Sequence, residues 1–147
     1  MKQIVLAVLL LTITTACSEQ IIERTPVVHL LVFGTVVDKT TGAPIEGLQV
    51  TMTYGGNYAT PIDPICPPVL TDEAGSYHFD YKGTPIYEVY FFIDDIDGPD
   101  HGGYYGHNLT LTGFNYSHAS MQADDSFWDF GTIEKKMEHF LSKTTAE

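Results

Sequence analysis

Two segments decide the fold: His29-Leu30-Leu31-Val32-Phe33-Gly34-Thr35-Val36-Val37 and, after a turn, Leu48-Gln49-Val50-Thr51-Met52-Thr53-Tyr54. The first is β-branched and aromatic, the composition of a strand covered on much of both faces. The second alternates, with Leu48, Val50, Met52 and Tyr54 on one side and Gln49, Thr51 and Thr53 on the other, as a half-buried strand does. Between them Asp38-Lys39-Thr40-Thr41-Gly42-Ala43-Pro44 is turn chemistry: an Asp to bond its own backbone, a Gly for positive φ and a Pro to fix φ.

Working outward, the period of two returns. Thr71-Asp72-Glu73-Ala74-Gly75 is a second tight turn, after which Tyr77, Phe79 and Tyr81 alternate with Ser76, His78 and Asp80. Ile86 to Ile93 is the most strand-like segment, Leu109 and Leu111 mark another, and Phe127 to Ile133 reads as the closing strand. Lys135 to Leu141 reads as a helical turn or two at the surface. Two long loops interrupt the pattern: Gly55 to Pro68, with four prolines, and the acidic, glycine-rich Asp94 to Gly106. Short strands with turn signals and no long 3.6-residue period predict an all-β, antiparallel β-sandwich of about seven strands over residues 28–134. Tyr77, Phe79, Phe91, Leu109, Leu111 and Trp128 are its expected core, and residues 135–147 a C-terminal tail.

The chain has 147 residues, 7 Lys+Arg against 19 Asp+Glu, and a formal net charge of −12. Binding to phosphate backbones needs a basic surface, so nucleic acid is excluded as a partner. Electrostatic attraction to anionic lipid fails for the same reason. Two cysteines build neither a disulfide framework nor a four-cysteine zinc site.

Lys2 and the apolar run Ile4 to Leu11 have the form of a signal peptide, too short to span a bilayer as a helix. Thr14-Thr15-Ala16-Cys17 then resembles the bacterial lipobox. That resemblance implies a leader over residues 1–16, lipid on Cys17, a tether over residues 17–27, and a protein anchored to a membrane of the bacterial envelope, either facing the periplasm or at the cell surface. More than one acyl chain on Cys17 is what stable anchoring requires. Cys66, left without an intramolecular partner and with no basic neighbour to lower its pKa, reads as a small buried hydrophobe.

The run Gly34 to Val50 resembles the first hairpin of carboxypeptidase-regulatory-like domains, Thr71 to Phe79 their second signature, and Phe130-Gly131-Thr132-Ile133 their closing strand. The resemblance implies a seven-stranded, transthyretin-like sandwich without catalytic residues. Gly42, Pro44, Gly47 and Gly75 carry it, and all four are folding residues. Asp94-Asp95-Ile96-Asp97-Gly98-Pro99-Asp100-His101-Gly102-Gly103-Tyr104, with the lipobox and the hairpin, is also similar to small Bacteroidetes-type lipoproteins paired with a radical SAM enzyme. This implies an enzyme partner, and the alternative that the chain is that enzyme's substrate.

Asp94, Asp95, Asp97 and Asp100 place four carboxylates within seven residues, spacing that suits a hard Ca²⁺ ion, although the bidentate Glu of an EF-hand is missing. The competing reading is a solvated acidic loop capping its own turns. His101 and His107 bracket a glycine-tyrosine run, which admits a transition metal and hence a metal-dependent enzyme. The His-x-His spacing of the intradiol dioxygenases, which use a related sandwich, is absent. Tyr54, Tyr58, Tyr104 and Tyr105, with His101 and His107, form an expected ligand-binding set at loops and strand ends, suited to a glycan or protein ligand of the envelope. No nucleophile elbow, Walker A loop, dinucleotide fingerprint or His-Glu-x-x-His motif is present. The expectation is a non-catalytic binding or accessory module whose binding face is built from the Gly55–Pro68 and Asp94–Gly106 loops, with no cofactor unless Ca²⁺.

Overall fold

The computed structural model describes residues 26–54, 64–101, 103–116 and 129–144. Seven strands form: β1 (Val27–Asp38), β2 (Leu48–Thr53), β3 (Val69–Leu70), β4 (Ser76–Gly83), β5 (Glu88–Asp95), β6 (His107–Gly113) and β7 (Asp129–Leu141). They make a three-stranded sheet of order β4-β1-β7 and a four-stranded sheet of order β3-β2-β5-β6. The all-β sandwich expected from the alternation is therefore present. Every pairing is antiparallel except β1 with β7, which run parallel. Among the described residues no helix is long and apolar enough to cross a membrane.

The core lies between the sheets. Alternate residues of β1 (Val28, Leu30, Val32, Val36) face Leu48, Val50 and Met52 of β2 and Val89, Phe91 and Ile93 of β5, all almost fully buried. Gly34 interrupts the β1 row for a steric reason: a Cβ there would lie 1.9 Å from Cζ of Tyr77. The glycine makes the space for that ring. Thr71 joins the two turn regions, its hydroxyl donating to the Ile45 carbonyl at 2.8 Å and accepting the Leu48 N–H at 3.0 Å.

Three expectations need correction. Lys135 to Leu141 is not helical: it is the second half of β7, and the sandwich extends past residue 134 to Leu141. Ile133, Met137 and Leu141 satisfy a helical spacing and an alternating one equally, and the parallel partnership with β1, paired as far as Asp38↔Leu141, decides for strand. Lys135 is drawn to the inner side of this strand, and its Nζ reaches out to the Gly113 carbonyl at 3.4 Å. Second, Leu109 and Leu111 are not core. They lie on β6, the edge of its sheet, and Leu111 is 52% exposed. Tyr77, Phe79 and Phe91 are buried as expected, and Trp128 lies outside the described residues. Third, Asp94 and Asp95 belong to β5 rather than to a loop, and the loop after them makes a single 3-10 turn over Gly98–His101. Cys66 is half-buried against the core, and burial pushes its thiol pKa up.

Candidate binding groove

The register of β2 against β5 separates Tyr54 from the Asp94–Gly106 segment, which sequence reasoning joins in one face; residues 55–63 lie outside the described residues. Leu48 pairs with Asp95 at one end of the ladder and Thr53 with Tyr90 at the other. At about 3.3 Å per residue, Tyr54 and the Asp94–Gly106 segment stand at opposite ends of the sandwich. No single face contains both.

At the Tyr54 end the chain builds a groove of about 720 Å³, within the usual range of about 300–1,000 Å³ for ligand sites. Tyr54 overshoots the end of β2, Tyr81 comes from the last turn of pleat in β4, and Tyr87 and Tyr90 flank the start of β5. Thr84, Pro85, Ile86 and Glu88 complete the lining. Tyr54 is 54% exposed and Tyr87 65% exposed, although both are large and aromatic. The β4–β5 connection that carries this wall is pinned. The Tyr116 hydroxyl accepts the Ile86 N–H at 2.8 Å and donates to the Ile86 carbonyl. The Tyr87 ring meets Tyr116 edge-on at 5.1 Å between centroids. The Tyr81 hydroxyl donates to the Thr84 carbonyl at 3.0 Å, and Phe114 N–H donates to the Tyr87 carbonyl at 2.8 Å. Burial raises the pKa of both Tyr81 and Tyr116, which keeps these phenols protonated at neutral pH.

A second groove, of about 670 Å³, lies along the outer face of the three-stranded sheet beside Phe33, His78 and Lys136. Phe33 and His78 are cross-strand partners stacked on each other at 4.7 Å. One face of each ring is therefore already occupied, and Phe33 is 40% exposed, less than Tyr54 or Tyr87.

The opposite end of the sandwich is a polar lock. Asp38 is buried, accepts the Thr40 and Thr41 N–H groups on one oxygen at 2.8 Å each and the Tyr105 hydroxyl on the other at 2.9 Å. These bonds, that from Thr41 foremost, hold its carboxyl below the ordinary range. Burial and the Asp38 contact push the Tyr105 phenol up to about 12. Tyr105 N–H donates to Asp95 Oδ2 at 2.9 Å, and Asp95 Oδ1 is buried without a hydrogen-bond partner. Asp94 pairs with His107 across strands β5 and β6. Tyr105 is thus a buried structural residue, while Tyr104 beside it is exposed. Asp97 follows β5, and Asp100 sits in the 3-10 turn. Among the described residues no three His, Cys, Asp or Glu side chains gather closely enough to hold a metal ion. Cys17, Tyr58 and the His101 side chain lie outside the described residues.

Sequence reasoning missed a buried polar clasp between the sheets. His139 of β7 is buried, its Nε2 2.6 Å from the Tyr77 hydroxyl and its Nδ1 3.2 Å from the Thr110 hydroxyl of β6. A neutral imidazole offers one donor and one acceptor, and two hydroxyls satisfy either tautomer. Burial lowers the His139 pKa below 6.5. The unfolded chain titrates at the ordinary value, so below about pH 6.5 it takes a proton that the folded chain declines. The clasp's contribution is therefore complete above pH 6.5 and is lost as pH falls toward the folded-state value. Chemical denaturation across pH 5 to 8 is expected to show this decline, and His139→Phe is expected to flatten it. An equal slope in the variant refutes the assignment.

No family model matches the chain, and no curated protein matches it. Among solved structures it is similar to a DUF3823 family protein from Parabacteroides merdae, at TM-score 0.40 and 16% identity over 82% of this chain and 48% of that one. A DUF3823 family protein from Bacteroides uniformis gives TM-score 0.37 and 16% identity, over 76% and 42% of the two chains. A 9R-lipoxygenase from Cyanothece gives TM-score 0.35 and 16% identity, over 71% of this chain and 16% of that one. The chain thus spans about half the length, or less, of these three structures.

Proposed function

We propose that this chain is a lipid-anchored, non-catalytic binding module of the bacterial envelope, working through the tyrosine groove. The observation that carries the reading is the pair of exposed rings, Tyr54 and Tyr87, the second on a connection pinned by the Ile86–Tyr116 and Phe114–Tyr87 hydrogen bonds. Large exposed aromatics on a rigid frame are costly to leave wet and are ready to stack on a ligand without reordering. Among the described residues, the lining carries one carboxylate, Glu88. The anchor rests on the leader-like segment before Cys17.

Two measurements test the proposal. Cys17→Ala is expected to move the protein from the membrane pellet to the soluble fraction; unchanged partition overturns the anchor. The full-length chain, immobilised, is expected to retain envelope material that the Tyr54→Ala/Tyr87→Ala double variant releases. Tyr54→Ala is expected to leave stability within about 0.5 kcal/mol, and Tyr87→Ala to cost about 0.5–1.5 kcal/mol through loss of its edge-on contact with Tyr116. Equal retention by the two proteins overturns the groove as the binding site.

A further inference from the structure

We infer that the groove takes a neutral saccharide, an inference that rests on the groove being the binding site. The first argument is hydrogen bonding. A peptide docking in extended form needs free backbone donors and acceptors along a strand edge. Here the strand that forms the floor, β5, is paired on both sides, with β2 and β6. The backbone of the wall is also engaged: Ile86 N–H and carbonyl with Tyr116, the Tyr87 carbonyl with Phe114, and the Thr84 carbonyl with Tyr81. The groove instead offers side-chain hydroxyls, those of Tyr54, Tyr87, Tyr90 and Thr84, together with the Glu88 carboxylate. Hydroxyls donate and accept, and a carboxylate accepts, which is the complement of a polyhydroxylated ring.

The second argument is shape and surface. A saccharide ring has a face of C–H groups edged by hydroxyls. The faces of Tyr54 and Tyr87 supply the flat apolar surface, and their phenol oxygens reach the edge, an amphipathic match. Among the described residues Pro85 and Ile86 are the aliphatic members of the lining, and the rest of its apolar surface is tyrosine ring. The third argument is charge. Among the described residues Glu88 is the one charged member of the lining, and the whole chain carries −12. An acidic polysaccharide is repelled by both. A neutral sugar meets no such barrier.

The test is a titration of the full-length chain in a sugar-free zwitterionic detergent, followed by isothermal calorimetry and tyrosine-ring NMR. The probes are cellohexaose, maltohexaose and chitohexaose as neutral saccharides, a hexagalacturonate as the acidic one, and a proline-rich peptide. At least one neutral saccharide is expected to shift the rings of Tyr54 and Tyr87 and to bind at least 10-fold more tightly than the hexagalacturonate. Tyr87→Ala is expected to weaken that binding about 10-fold, and Tyr87→Phe, which keeps the ring, by much less. Thermal melting of each variant separates loss of binding from loss of fold. Shifts from the peptide with none from the saccharides overturn the ligand class and leave the groove as a binding site. Shifts from no probe overturn both. Tighter binding of the hexagalacturonate overturns the charge argument and the inference with it.

Discussion

Phe91→Ala is expected to destabilise the domain by about 3–5 kcal/mol, the usual cost of emptying a fully buried phenylalanine site. Phe91 has no exposed surface and sits on β5, an inner strand of the four-stranded sheet. Its ring lies 6.0 Å from Phe79 and 6.4 Å from both Tyr77 and His139. Those three come from the opposite sheet, so the substitution opens a cavity at the seam between the layers. Neither layer closes over it, because the strands on both sides are fixed by their ladders. Against a total stability of about 5–15 kcal/mol the loss is large. Thermal unfolding followed by circular dichroism is expected to shift down by roughly 10–20 °C. Phe91→Leu, which keeps most of the volume, is expected to cost less than half as much. A loss below about 1 kcal/mol for the alanine variant contradicts the facing of the two sheets at this point.

Gly75→Ala is the second large effect, about 2–4 kcal/mol. Gly75 has φ of +67°, a left-handed conformation that costs an ordinary residue about 1–2 kcal/mol. A Cβ there also lies 2.4 Å from the Val36 carbonyl oxygen, a backbone atom of β1 that cannot step aside cheaply. The same peptide region accepts the Val36 N–H at 2.8 Å, and the Gly75 N–H donates to the Asp72 carbonyl at 2.8 Å. Moving the turn to relieve the clash breaks these bonds. Gly42→Ala is the matched control: its φ of +70° is as left-handed, but nothing lies within 4 Å of the added carbon. Urea titration of the two variants is expected to show Gly75→Ala as the more damaging by at least about 1 kcal/mol. Equal costs reduce the effect to backbone strain alone and remove the close approach from the explanation.

The alternation of β1 and β4 was legible because each settles its own faces locally, whereas β2, read as half-buried, has Thr51 and Thr53 buried as well and Tyr54 exposed. The turn glycines Gly42 and Gly75 were legible for the same reason: positive φ is a property of one residue and its neighbours. What the sequence hid was non-local. The length of β7 depends on a parallel partner about a hundred residues away, and a run containing Lys135, Lys136 and Glu138 does not announce an inner face. Leu111 looks like core until β6 proves to be an edge. Tyr54 was recognised as a binding candidate, but its companions Tyr81, Tyr87 and Tyr90 read as ordinary strand residues. Only the β2–β5 register collects them with Tyr54 and sends Tyr104 and His107 to the far end.

The pairing of Val28 with Gly83, and of Val27 with Asp129, puts the entry of the chain into the sandwich beside the β4–β5 connection. The mouth rimmed by Thr84 and Tyr87 therefore opens toward the same pole as the N-terminal leash. From Cys17 to Pro26 that leash reaches at most about 35 Å when fully stretched. Under the proposed anchor at Cys17, the groove stands within that reach of the bilayer, at the pole where the chain enters the sandwich.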